Sequence, residues 1–264
     1  MLAFAAFMPH PLIAIPGVGG EHAAKVRQTV RAFREITREF YAAQVDIVIV
    51  ITPHAASPSR AYSINQRPSL ALDFSRYGNI MEPISLASDI GFGYRMKESL
   101  ETELSIVLTE DEVLDYGSAV PLYYLTQRGR LPVPRVVVIG TGSLSLSDHF
   151  SFGRAIKRHI NTSTGRIAVI ASGDLAHGSH RRSVADYSPQ AAEFNERVRA
   201  AFVTRDIQSL LTIPDETLSQ VTQCGARPLA LLLGIIDQRT CMPRVLSFET
   251  ILGVGYLTAV MDLA

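Results

Sequence analysis

Two histidines occur in matched surroundings. His10 follows the apolar run 2–7 in the segment MPHPL, and His54 follows the apolar run 47–51 in IVIVITPHA, each directly after a proline. Both read as loop histidines just past the C-terminal end of a β-strand, where open α/β sheets gather their ligand-binding groups. Two imidazoles brought to one sheet edge, joined by a carboxylate from elsewhere, would make a metal site. A loop histidine after a strand, taken singly, is usually a surface or hydrogen-bonding residue, and only the repetition of context favours ligation.

A third histidine, His177 in ASGDLAHGS, lies among Ser172, Gly173 and Gly178, small residues that let backbone approach a ligand closely. Asp174, three residues earlier, could orient the imidazole; alternatively it caps a turn and His177 faces solvent. His180 precedes Arg181 and Arg182 and reads as part of a solvated basic turn, while His22, His149 and His159 fall on helical patterns. Among the acids, Glu249 in LSFETILGVGY interrupts two apolar strand segments. It is either a buried carboxylate needing compensation, which a metal would supply, or an exposed residue of a hairpin turn. Asp115 in LDYGSAVPLYYL reads as the cap of a helix over 118–127. Gly17, Gly19 and Gly20 do not form a phosphate loop, because no Lys-Ser/Thr follows and the GxGxxG pattern is incomplete; no GxSxG elbow is present either.

The elements that must position these residues follow from hydrophobic periodicity. Val26, Val30, Phe33, Ile36 and Phe40 recur at three- and four-residue spacing and predict a helix over 21–43, followed by a buried strand over 46–51. Further strands are expected over 62–64, 70–74, 106–108, 135–139 and 167–171, with helices over 86–103 and about 147–160. From 188 onward the pattern is mainly helical, over 189–203, 207–211 and 227–236, and strands over 244–248 and 253–261 close the chain. The alternation predicts an α/β fold: one domain over 1–264 with a central mixed, mainly parallel sheet flanked by helices.

At 264 residues and 47% hydrophobic, the chain can bury a sizeable core. Its 25 basic and 25 acidic side chains cancel, so no global field for nucleic acid or an anionic membrane surface exists, and neither is expected as a partner. Cys224 and Cys241 form no CxxC pair and fit a reducing compartment, the cytoplasm by expectation. The apolar start lacks a basic flank and is broken by Pro9, Pro11 and Pro16, so no signal peptide is expected, and no stretch is long enough to span a bilayer.

In order along the chain, MPHPLIAIPGVG, ITPHA, LDYGSAVPLYYL, SGDLAHG, CGARPLALLLGIID and SFETILGVGYL resemble the class III extradiol ring-cleavage dioxygenases. The likeness is to their catalytic, LigB-like domain, closest to the branch associated with AMMECR1 and Memo-like proteins, and covers nearly the whole chain. The resemblance implies a LigB-like, phosphorylase-like three-layer fold and a non-haem Fe(II) held by His10, His54 and Glu249, with Zn as a metal possible on isolation. It further implies O₂ as co-substrate and His177 as the acid/base that handles a phenolic proton. Tyr116 stands where many relatives have histidine, next to substrate, and keeps a hydrogen-bond donor but not a cationic one. Cys224, before a helix, either lines the pocket or is a buried inert thiol.

The activity implied is extradiol cleavage of a catechol-like or aminophenol-like ring, a small aromatic substrate. The alternative is a Memo-like metal-binding redox or signalling module, some of whose members place cysteine where the glutamate ligand stands; a Zn hydrolase has less support, because no phosphate- or acyl-binding apparatus is visible. Relatives commonly self-associate, so a homo-oligomer is expected, with a small second subunit or an AMMECR1-like protein as the other partner implied.

Overall fold

The computed structural model describes residues 1–126, 132–179 and 187–264. The chain builds an eight-stranded sheet in the order β6-β3-β7-β2-β8-β1-β10-β9. Its centre is four parallel strands, β7 (Arg135–Gly140), β2 (Ile47–Thr52), β8 (Ile167–Ser172) and β1 (Leu2–Met8). On one side β3 (Tyr62–Asn65) joins β7 antiparallel and β6 (Ile106–Thr109) joins β3 parallel. On the other, the hairpin β9 (Cys241–Ile251) and β10 (Val254–Leu263) adds antiparallel to β1. A separate two-stranded sheet pairs β4 (Ser69–Leu72) with β5 (Ile84–Ala87).

Apart from their end residues, the central strands are apolar because both faces are covered. Side chains alternate between them: Ile47, Ile49 and Ile51 of β2 enter one core, whereas Val48 and Val50 enter the other. The first core lies under α2 (Ile90–Leu100), α4 (Leu146–Thr162), α5 (Gln190–Thr204), α6 (Ile207–Leu211), α7 (Asp215–Gln220) and α8 (Ala226–Ile235). The second lies under α1 (Arg27–Ala42), α3 (Tyr116–Thr126) and the small sheet. Helix α1 buries Thr29, Ala32, Phe33, Ile36, Thr37 and Phe40, the stripe expected from the sequence. This is the mixed, mainly parallel α/β sheet flanked by helices that the periodicity implied.

Three boundaries differ from expectation. Residues 20–26 form a 3-10 turn, so the first α-helix begins only at Arg27. Residues 84–87 are strand and Asp89 caps α2 by accepting from Phe92 N, which shortens the expected 86–103 helix at its start. The closing hairpin turns at Leu252 and Gly253, both with positive φ, so Glu249 lies inside strand β9 rather than in the turn. Helix α7 was not anticipated, since six residues carry too short a period to read. Gln127 and the basic turn at His180 to Arg182 lie outside the described residues. Among the described residues, no helix is long and apolar enough to cross a membrane.

Helices α4 and α8 cross with their backbones touching at two glycines. A Cβ on Gly153 would stand 2.1 Å from the Leu231 carbonyl oxygen, and one on Gly234 would stand 2.1 Å from the Phe150 carbonyl oxygen. Neither obstacle is a flexible side chain, so the helices would have to separate. Gly153→Ala is expected to destabilise the fold by about 1–3 kcal/mol in a denaturant titration, although alanine is the better helix former.

Candidate metal centre

The site forms where three adjacent parallel strands end. Register pairs Met8 with Ser172 and Ile51 with Ala171, so the loops after β1, β8 and β2 emerge side by side. They deliver His10, the Asp174–His177 segment and His54 to one crevice at the carboxyl ends of the strands. The imidazoles meet there: the two Nε2 atoms are 3.3 Å apart, with ring centroids 5.0 Å apart.

Cys224 arrives from the other direction, on the loop entering α8. Asp174 O accepts hydrogen bonds from Cys224 N and Gly225 N at 3.2 and 2.8 Å, and Asp174 N donates to Cys224 Sγ at 3.2 Å. This approach requires glycine on both sides, because a Cβ on Gly173 would lie 2.3 Å from Gly225 Cα. The sequence predicts a ligand against Gly173; the residue serves instead to admit Gly225. Cys224 Sγ is thereby held 3.4 Å from His10 Nε2. His10, His54 and Cys224 offer donor atoms that all lie within 4.8 Å of one another.

The donor set fits a metal ion. The Ser172 hydroxyl spends its proton on Gly117 O at 2.5 Å, so at its 2.9 Å contact with His10 it must accept from Nδ1–H. This fixes the His10 tautomer and leaves a lone pair on Nε2, pointing at His54 and Cys224. Nitrogen ligands about 2.0–2.1 Å from a tetrahedral ion stand about 3.3–3.4 Å apart, and a nitrogen and a thiolate about 3.5 Å apart. The observed separations of 3.3 and 3.4 Å match both.

Glu249 is not brought to this cluster. Its Oε1 accepts from Thr29 N at 2.5 Å and from Thr29 Oγ1 at 3.1 Å, within the first turn of α1. The carboxylate is indeed buried, at 8% exposure, but its compensation is the free N–H and positive end of a helix instead of a cation. Neither the metal-ligand assignment nor the exposed-turn reading describes it. No sequence signal links Glu249 to Thr29, which is 220 residues away.

Asp174 serves His10 more directly than His177. Its Oδ1 accepts from His10 N at 2.9 Å and its Oδ2 lies 3.6 Å from His10 Nε2. The second contact is not an ion pair, because burial drives the His10 pKa down to about 3 and keeps the ring neutral. Burial lowers His54 to about 4, with the neighbouring His10 as a secondary cause, and raises Asp174 to about 6. His177 is half-buried and shifted downward by burial, against the Asp174 charge; among the described residues its Nε2 has no hydrogen-bond partner. Burial, then Asp174, pushes the Cys224 thiol well above its usual range, a shift that metal coordination would reverse.

Aromatic rings close the site. Tyr116, the first residue of α3, stacks on His54 with centroids 4.5 Å apart and meets His10 edge-on at 5.1 Å. Asp115 caps this helix: its Oδ1 accepts from Ser118 N and from Thr52 Oγ1, tying α3 to the end of β2. Tyr77 meets Tyr116 edge-on, and Tyr256 of β10 is near enough to feel the Asp174 and Cys224 charges. Sequence reasoning misses Ser172 as a partner of His10, and Tyr77 and Tyr256 altogether, because hydrogen-bond and ring partners across strands leave no spacing signature.

The whole-chain comparisons agree with this architecture. Residues 4–259 match the family model described as the catalytic LigB subunit of aromatic ring-opening dioxygenase. The chain belongs to the LigB family. It is 24% identical over 259 residues to Protein CA_C1420 of Clostridium acetobutylicum, covering 94% of this chain and 55% of that protein. The chain therefore spans about half the length of that curated relative. It also superposes on the crystal structure of the uncharacterized protein JW3007 from Escherichia coli K12, with a TM-score of 0.65, 17% identity, and 98% and 99% of the two chains covered. That likeness concerns the fold.

Glu249→Ala is expected to cost about 1 kcal/mol or more of stability through the lost helix cap while leaving metal affinity unchanged in a competition titration. A pH effect also follows. His10, His54 and His149, lowered from 6.5 to about 3, 4 and 4, contribute stability that is full above the unfolded value and is withdrawn as pH falls. Asp174, raised from 3.8 to about 6, opposes this, since its folded form holds a proton more readily. Three histidines outweigh one carboxyl, so the metal-free protein is expected to lose stability between pH 7 and 5, measured by urea midpoints.

Proposed function

We propose that this protein is a metal-dependent oxidoreductase that binds a small phenolic or catechol-like aromatic compound and uses O₂ as co-substrate, with His10, His54 and Cys224 holding the metal. The convergence of those three donor atoms carries the reading, and membership of the LigB family supports the reaction class. A bound ion would supply Lewis-acid activation of a phenolic oxygen and a centre for electron transfer with O₂.

The chain's own groups have distinct parts in this reading. Ser172 fixes the His10 tautomer, and Asp174 holds the backbone of the same residue. Tyr116 clamps the His54 ring and shields it from water. In this reading His177, its pKa lowered by burial, accepts a phenolic proton and returns it, supported by an Nε2 that has no hydrogen-bond partner among the described residues.

A second reading is favoured by the identity of the third ligand. Fe(II) oxygenase triads use two histidines and a carboxylate, whereas a thiolate suits copper or zinc. With Cys224 in the cluster and Glu249 on a helix end, a Memo-like redox module that does not open aromatic rings also fits these donors. Iron would find its carboxylate in Asp174, 3.6 Å from His10, rather than in Glu249.

Metal analysis and turnover separate the two. Loading with Fe(II), Zn²⁺ or Cu⁺ in turn is expected to give one equivalent that is lost in His54→Ala and Cys224→Ser and retained in Glu249→Gln. Ser172→Ala should weaken binding about tenfold. Ring-fission absorbance from a catechol panel under O₂ supports the dioxygenase; tight copper or zinc binding with no product across that panel replaces it with the redox module.

A further inference from the structure

Two cavities share His54 as a wall, and their charges differ. One, of about 320 Å³, is lined by Tyr77 together with Asp73, Asp111 and Asp115 against Arg76, the one Lys or Arg among its described lining residues. The other, of about 340 Å³, reaches Cys224 as well as His54 and carries Arg227, Gln223, Ser57 and Ser143 with no carboxylate among its described lining residues. A ligand lying beside His54 and Cys224 thus has acid on one side and a lone guanidinium on the other.

Arg227 is held without being used up. Its Nε donates to Leu144 O at 2.8 Å, which orients the fork, and its Nη2 reaches Asp215 Oδ1 at 3.3 Å. The Asp215 side chain is 62% exposed, so that pair is well screened and weak. Among the described residues, the remaining Arg227 N–H donors, the Gln223 amide nitrogen and the Ser143 hydroxyl are uncommitted donors of this cavity's lining. Ser57, by contrast, gives its proton to Ala61 O.

We propose that Arg227 is a specificity-determining residue, and that the second cavity takes a carboxylate carried by the aromatic ligand while the ring lies against His54. Planar carboxylate matches the guanidinium fork. The three carboxylates of the first cavity repel the same group, so charge fixes which way round the ligand sits. This rests on the reading that an aromatic ligand binds beside the metal ligands, and it adds the anionic substituent and the residue that selects it.

The test is calorimetric titration with benzoate and its neutral isostere benzamide, on chelator-treated and on Zn²⁺-loaded protein. Benzoate is expected to bind roughly tenfold or more tightly than benzamide in both forms. Arg227→Gln should bring benzoate down to the benzamide level without changing benzamide, and Arg227→Lys should keep part of the preference. Ser143→Asp, an exposed substitution that places a carboxylate in the same cavity, should abolish the preference even if Arg227→Gln folds poorly. A preference that survives both Arg227→Gln and Ser143→Asp, or that appears only with metal, overturns the proposal. Failure of the metal centre to load leaves the metal-free arm intact, so the two readings fail separately.

Discussion

The site depends on a short buried relay in which His10 Nδ1–H donates to Ser172 Oγ and Ser172 Oγ donates to Gly117 O. Each group has one free choice, and the carbonyl removes it: a carbonyl can only accept, so serine must donate to it, so histidine must donate to serine. The consequence appears on the far side of the ring as a lone pair at Nε2. Three separate elements, β1, β8 and α3, must be in place for this to hold, and so the chemistry of one nitrogen is underwritten by the packing of the sheet and a helix. Because the relay is buried, losing a member would leave an unsatisfied polar group as well as a misoriented imidazole.

Glu249 shows how one physical requirement can be met in two ways. A carboxylate inside a hydrophobic strand needs positive charge or hydrogen-bond donors, and a metal ion is one source. The first turn of a helix is another, since its N–H groups lack intrahelical acceptors and its dipole presents a positive end. Here α1 meets that need, which ties the hairpin β9–β10 to the helix in front of it. Arg244 repeats the connection, pairing from β9 with Glu35 and Glu39 of α1 and with Asp262 of β10. The donor beside His10 and His54 is a thiol instead, and as a ligand this softer group would shift the balance of metals toward copper and zinc.

Much of the architecture was legible in advance. The apolar runs before His10 and His54 could be read as central strands, and the stripe from Val26 to Phe40 as a helix, because burial imposes periods of two and 3.6 on the chain. Boundaries were less legible where a local cap decided them, as at Asp89 before α2. At the site, His10, His54 and the neighbourhood of Asp174 and His177 were legible because they follow strands of one parallel sheet, whose carboxyl ends must lie together.

The sequence by itself determined the alternating pattern of buried strands and amphipathic helices, and with it the delivery of two histidines to one sheet edge, since local periodicity and strand direction are enough for that. Only the tertiary structure decided which third residue joins them. Cys224 and Glu249 are both far from His10 along the chain, and nothing in their spacing distinguishes them. The choice rests on a backbone approach that Gly173 and Gly225 permit for one, and on a helix end, offered by Thr29, that captures the other.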